Sequence, residues 1–258
     1  MQLGRLAPRG GATQAKRKTL RMIALVQAGL ALLLAYPAHA QDDPAMSNKT
    51  AAAFAQLGQA FSTSAETTAT PPTPERLRLV HQYLVQYKAE AAMKAVGQAA
   101  YSQTLEQFKT KAAALPARQQ AQALTAFSTA FESAEAARIQ IALDGMATYF
   151  ASRLSEDDLK TIIAWNESDL GRRMREQPLT VTQEERQQVG QFTVDHPAMI
   201  RLVQVSVSYS KHVLANAPSG KAAFQADFQS RLCQNFSAIQ LRMSTCPATA
   251  THGRRRPA

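Results

Sequence analysis

From Pro74 onward the apolar positions recur at spacings of three and four. Leu77, Val80, Leu84, Tyr87 and Ala91 follow Pro74 and Glu75, an order that predicts an amphipathic helix opening with proline and an acid in its first turn. Tyr101, Leu105 and Phe108 predict a second helical segment that ends before Leu115-Pro116. Residues 117–150 contain no proline after Pro116 and carry Leu124, Phe127, Phe131 and Ala134 in register, which predicts one long helix. The run "VQVSVSYS" at 203–210 alternates with the period of a strand. No other part of the body does so, and a lone strand has nothing to pair with. Met199, Leu202, Val203, Tyr209 and Val213 share a helical face instead, so a helix is expected there. "ANAPSG" at 215–220 is expected to break the chain before a last helix marked by Phe224, Phe228, Leu232 and Phe236. The fold class is therefore all-α, a bundle of about six to eight helices.

The densest local signal is "RLSEDDLKTIIAWNESDLGRRM" at 153–174. Ser155 with Asp158 three residues later has the form of a capping box, and Leu154 and Leu159 are placed as a hydrophobic staple. Glu156 and Asp157 fall where the helix dipole favours negative charge. Leu159, Ile162 and Ile163 form the expected buried face, bordered by Trp165; Glu167 and Asp169 open a short helix with Arg172, Arg173 and Arg175 at its basic end. The pattern recurs at "VTQEERQQVGQFTVDHPAMI". Val181 corresponds to Leu154, Thr182 to Ser155, Glu185 to Asp158, Val189 to Ile162, Phe192 to Trp165 and Asp195 to Ser168. Two helix-bend-helix repeats are expected, which counts against a unique catalytic role for the first.

Charge changes the picture mainly at the ends. The formal net charge is +10, but Arg5, Arg9, Lys16, Arg17, Lys18 and Arg21 precede an apolar run, Met22–Tyr36, and then "PAHA". That is the layout of a secretory signal peptide over 1–40, with Ala38 and Ala40 as the cleavage-site residues. The Lys16-Arg17 pair favours the general secretory route over a twin-arginine one. The long basic stretch leaves an uncleaved anchor as an alternative. Removing six positive charges from +10 leaves +4, and Arg254, Arg255 and Arg256 in the tail hold three of those. The body is near neutral, so nucleic acid is excluded as a partner. Residues 41–74, ending in "STSAETTATPPTP", have the composition of a disordered linker. The helical domain spans 75–246, and 247–258 is a disordered basic tail. No later apolar run reaches the ~20 residues of a transmembrane helix. The expected location is periplasmic or secreted.

Two cysteines in an exported chain, Cys233 and Cys246, favour a disulfide worth about 3 kcal/mol. Free or intermolecular thiols are the other reading. An unbroken helix from Cys233 to Met243 would separate its ends by roughly 15 Å, so the bond requires the helix to end near Ile239–Leu241.

At "LSEDDLKTIIAWNESDLGRR" the chain resembles a bacterial exported family, domain of unknown function 2059. Its members show a Leu-Ser/Thr-x-acid-acid start, an aromatic pair, Ser-Pro-x-Gly and basic residues. Leu154, Ser155, Asp157 and Asp158 match the start, Trp165 the first aromatic, and Ser168, Gly171, Arg172 and Arg173 the end. Asn166 stands in place of the second aromatic and Asp169 in place of the proline. The resemblance covers roughly 95–215. It implies an exported α-helical domain and brings no catalytic residue or ligand.

The histidines beyond the expected cleavage site, His81, His196, His212 and His252, have no zinc-site spacing, and G-x-S-x-G, phosphate-loop and dinucleotide motifs are absent from the sequence. No catalytic residue, metal or cofactor is assigned. Adjacent acids at a helix start point in different directions, so a glycosidase pair is disfavoured. Trp165, Phe192, His196, Arg172 and Arg173 are the candidate groove for a partner or an apolar or anionic ligand; the alternative is an aromatic filling a helix-helix seam. The function expected is non-enzymatic binding of an envelope component. The alternatives are a carrier of a small apolar ligand held between helices and, with little support, a hydrolase.

Overall fold

A computed structural model describes residues 68–241, together with Ala55 and Cys246. The expected signal peptide, most of the linker and the basic tail lie outside these residues. Among the described residues there are seven α-helices and no strand, so the all-α class holds. The helices are α1 (Pro74–Gln86), α2 (Ala89–Ala112), α3 (Ala117–Ala151), α4 (Glu156–Glu167), α5 (Asp169–Glu176), α6 (Gln183–Asp195) and α7 (Pro197–Ala238), with a 3₁₀ turn at Pro178–Thr180. None is long and apolar enough to cross a membrane. The described residues divide into two units, one comprising 68–93 with Ala142–Ala215, the other Lys94–Ile141 with 216–241.

In the first unit α1 packs against α4. Leu79, Val80, Tyr83 and Leu84 of α1 are buried, as are Met146, Phe150 and Ala151 at the end of α3, Leu159, Ile162 and Ile163 of α4, and Leu202, Val203 and Val205 of α7. The stretch that alternates like a strand is thus helix, and Ser206 and Ser210 donate their hydroxyls to the carbonyls of Leu202 and Ser206. Thr73 caps α1. Just before it the Thr70 amide donates to the Ser152 carbonyl at 2.8 Å, tying the end of the compositional linker to the α3–α4 turn.

The apolar run from Leu77 to Ala91 is not one helix. Val85 and Ala89, four residues apart, would share a face in an unbroken helix, yet Val85 is 76% exposed and Ala89 is 3% exposed. The chain changes phase between them at Lys88, which adopts the left-handed conformation with φ 51°. Tyr87 stays with Tyr83, ring centroids 4.7 Å apart, while Ala89 and Met93 turn inward.

In the second unit the core is Ala123, Ala126, Phe127, Ala130, Leu232 and Phe236, packed by Tyr101, Leu105, Phe108 and Phe228. Phe108 stacks on Phe127 at 4.5 Å, and Phe127 and Phe131 meet Phe228 edge-on at 5.4 and 5.8 Å. Gly97 lets α2 lie against Glu135, since a Cβ there would fall 1.9 Å from the Glu135 carboxylate.

Two expectations about α7 meet different outcomes. "ANAPSG" does not end the helix; α7 runs from Pro197 to Ala238 with Pro218 inside it. Proline removes one hydrogen bond and crowds the preceding turn, a cost of about 3 kcal/mol. The turns well before and well after it are packed, through Leu202, Val203 and Val205 and through Leu232 and Phe236. At the far end the expected termination is found within a residue. The Leu241 amide donates to the Phe236 carbonyl and Gln240 to Ser237, with Gln240 left-handed at φ 55°. This is a Schellman turn whose usual glycine is replaced by glutamine. The Cys233–Cys246 disulfide is formed, with Cα atoms 5.5 Å apart.

Candidate functional site

The candidate residues lie on α4, α5 and α6, and their positions follow from local caps. Ser155 caps α4: its hydroxyl accepts from the Asp158 amide and the Asp158 carboxylate accepts from the Ser155 amide, each at 3.1 Å. Leu154 and Leu159, the staple, are both buried. Asp158 does more than cap. Its carboxylate also receives the guanidinium of Arg201 on α7, with Nε at 3.0 Å from Oδ2 and Nη2 on Oδ1. Burial pushes the Asp158 carboxyl up, but the bonds from Arg201 and Ser155 outweigh it and hold it below the usual carboxylate range.

Ser168 ends α4 and begins α5. Its hydroxyl donates to the Trp165 carbonyl at 2.6 Å and accepts from the Gly171 amide at 3.0 Å. The bend is so tight that a Cβ on Gly171 would sit 2.0 Å from the Trp165 carbonyl oxygen. Only glycine fits. The Ser-x-x-Gly element is therefore the geometry of this bend. Thr182 and Glu185 form a second capping box at α6. Glu185 also pairs with Arg173, and the Thr182 amide followed by Arg173 lowers its carboxyl below the usual range.

These caps bring three rings together. Trp165 stacks on Phe192 with centroids 4.3 Å apart, and Phe192 stacks on His196 at 3.9 Å. All three are half-buried. His196 is the C-cap of α6, and its Nδ1 lies 2.9 Å from the Phe192 carbonyl oxygen, which makes Nδ1 the N–H donor. Beneath the stack, Met174, Val181 and Val189 form a small apolar cluster that Trp165 and Leu170 complete. Arg172 and Arg173 are exposed but paired, with Asp169 and Glu185 respectively. The aromatics and the histidine thus form one row of rings, and each of the two arginines is half of an ion pair.

Several participants carry no signal in the pattern of the sequence. Asn166, in the place of the second aromatic, is 3% exposed. Its amide donates to Gln86 at 3.1 Å and its oxygen accepts from the Tyr87 hydroxyl at 3.4 Å, while Arg175 donates to its backbone carbonyl at 3.2 Å. Burial raises the Tyr87 phenol, opposed by the positive charge of Arg175, so Tyr87 stays a donor. Gln82 and Gln86 both reach Glu167. Neither the asparagine at position 166 nor Arg201 announces its long-range partners in the sequence. Among the described residues no group of three or more His, Cys, Asp or Glu could hold a metal ion.

The architecture is that of an all-α protein whose motif residues build capped helix bends. Residues 141–193 match the family described as "Uncharacterized protein conserved in bacteria (DUF2059)", the family that the Leu154–Arg173 motif resembles. The match is shorter than the 95–215 expected and is centred on the end of α3 and α4–α6. No curated protein and no solved structure matches the chain.

Proposed function

We propose that the chain is an exported, non-enzymatic binding protein of the bacterial envelope, and that its binding surface is the Trp165–Phe192–His196 stack with Arg172 and Arg173 at its side. The observation that carries this reading is the stack itself: three contiguous rings, each half-buried, at the ends of α4 and α6. A row of flat apolar surface with polar groups at its rim is suited to an apolar or aromatic side chain of a partner. Leu179, in the turn between α5 and α6, is 89% exposed and adds apolar surface within the same matched segment. The carboxylates of this region support the same reading, because Asp158, Asp169 and Glu185 are each occupied by an arginine. Export is supported by the leader-like N-terminus and the disulfide.

The test is site-specific photo-cross-linking in the bacterial host, with the reactive group at Leu179 or Gln191 and, as control, at Ala95. An adduct of fixed mass at the first two positions only, lost when Phe192→Ala is added, is the expected result. Equal adducts at all three positions would sink the reading. Native mass spectrometry of the protein from the host periplasm separates the carrier alternative, in which about a few hundred daltons of added mass would accompany each chain and no protein adduct would form.

A further inference from the structure

The middle of α7 is built unlike any other helical stretch described here. Residues 214–223 are exposed on every face, ten consecutive positions without a buried or half-buried side chain. In α3, the other long helix, the longest exposed run is three residues, 117–119. The bare stretch is also poor in helix formers, with Asn216, Pro218, Ser219 and Gly220 inside five residues. Pro218 has no N–H, so the Leu214 carbonyl has no helical partner. The Ser219 hydroxyl donates to the Asn216 carbonyl at 2.8 Å, a local bond that serves a turn as well as a helix. A Cβ on Gly220 would touch nothing within 4 Å.

An isolated helix of this length and composition does not persist in water. The buried apolar anchors of this stretch lie in the flanking turns. Met199, Leu202, Val203 and Val205 fix the preceding turns, and Leu232 and Phe236, with the partly buried Phe228, fix the following ones. Opening 214–223 therefore breaks backbone hydrogen bonds but gives up no buried apolar contact. Free energies of local opening scale with what is lost, so this segment belongs at the low end of the molecule's range.

We infer that residues 214–223 open locally while the flanking turns of α7 stay folded, and that this makes the Lys221–Ala222 amide a processing site for a lysine-directed endoprotease. Proteases need several residues in extended form, which exposed helix does not offer and an opened segment does. The reaction is hydrolysis: water adds across the Lys221–Ala222 amide to leave a carboxylate on Lys221 and an amine on Ala222. The piece from Ala222 onward stays in place, because Phe228, Leu232 and Phe236 pack on the Phe127 cluster and Asn235 donates to the Ala126 carbonyl at 3.0 Å. The inference is independent of the binding surface proposed above.

Hydrogen exchange and limited trypsin digestion of the full-length protein test it. Amides in 214–223 are expected to exchange about a hundredfold faster than those in 199–210 and 225–236. Trypsin is expected to cut after Lys221, giving two bands on a denaturing gel and one species on a native gel. Pro218→Ala should slow both the exchange and that cut by about a hundredfold, the factor by which alanine outranks proline in a helix, and leave other cuts unchanged. Protection in 214–223 equal to that of the flanks, or a Lys221 cut that Pro218→Ala does not slow, would overturn the inference.

Discussion

The two capping boxes use one local design for different ends. In each, a hydroxyl caps the helix and the acid three residues later divides its oxygens between the cap amide and an arginine: Asp158 between Ser155 and Arg201, Glu185 between Thr182 and Arg173. The first arginine comes from α7, forty-three residues on, and the Asp158 side chain is 6% exposed; the second comes from the adjacent α5, and Glu185 is 17% exposed. The bends that follow differ too. Gly171 has no room for a Cβ, whereas Ala198, its counterpart after α6, is an alanine buried without difficulty. A local motif sets where a helix starts, and its partners at long range set how much depends on it.

The sharpest way to break the comparison is at the bends. Gly171→Ala is expected to cost about 3 kcal/mol, because the obstruction is backbone, while Ala198→Gly should cost about 1 kcal/mol; urea unfolding of both variants checks this. Next is Asp158→Ala, expected to cost about 2 kcal/mol after allowance for the partly exposed Arg201. Glu185→Ala should cost less. A double-mutant cycle with Arg201→Ala should give a clear coupling for Asp158 and none for Glu185.

Acid sharpens the same contrast. The folded Asp158 carboxyl lies below its unfolded value, so its stabilisation is complete above the ordinary carboxylate range and is lost as pH falls through the folded value. The stability gap between the native protein and Asp158→Asn is therefore expected to be constant above about pH 5 and to close below about pH 4. The smallest effects expected are the caps alone: Ser155→Ala and Thr182→Ala should each cost about 1 kcal/mol in thermal unfolding.

What was legible in the sequence was what is local. The Ser155 and Thr182 caps, the Leu154 staple, the buried face at Leu159, Ile162 and Ile163, and the long helix from Ala117 are set by residues within a few turns of one another. The phase change at Lys88 was not legible, because a lysine carries no preference for the left-handed conformation; the positions of Val85 and Ala89 impose it. Pro218 misled for the opposite reason: its local cost is real, yet α7 runs through it between packed turns on either side. Of the candidate residues, Trp165, Phe192 and His196 stack in one row. The ion pairs of Arg172 with Asp169 and of Arg173 with Glu185 were not read from the sequence.

The glutamine in the left-handed position at the end of α7 bears on how the disulfide is made. The chain reverses at Gln240, and Leu241 is fastened to Phe236 and packed on the Phe127 cluster, before Cys246 is reached. With Leu241 so fixed, only the short stretch from there to Cys246 separates the second thiol from the first, and a tether of that length corresponds to an effective concentration of about millimolar. Once an external disulfide has exchanged with one of the two thiols, attack by the other closes the ring within the same chain and expels the oxidant's thiolate, ahead of exchange with a neighbouring molecule.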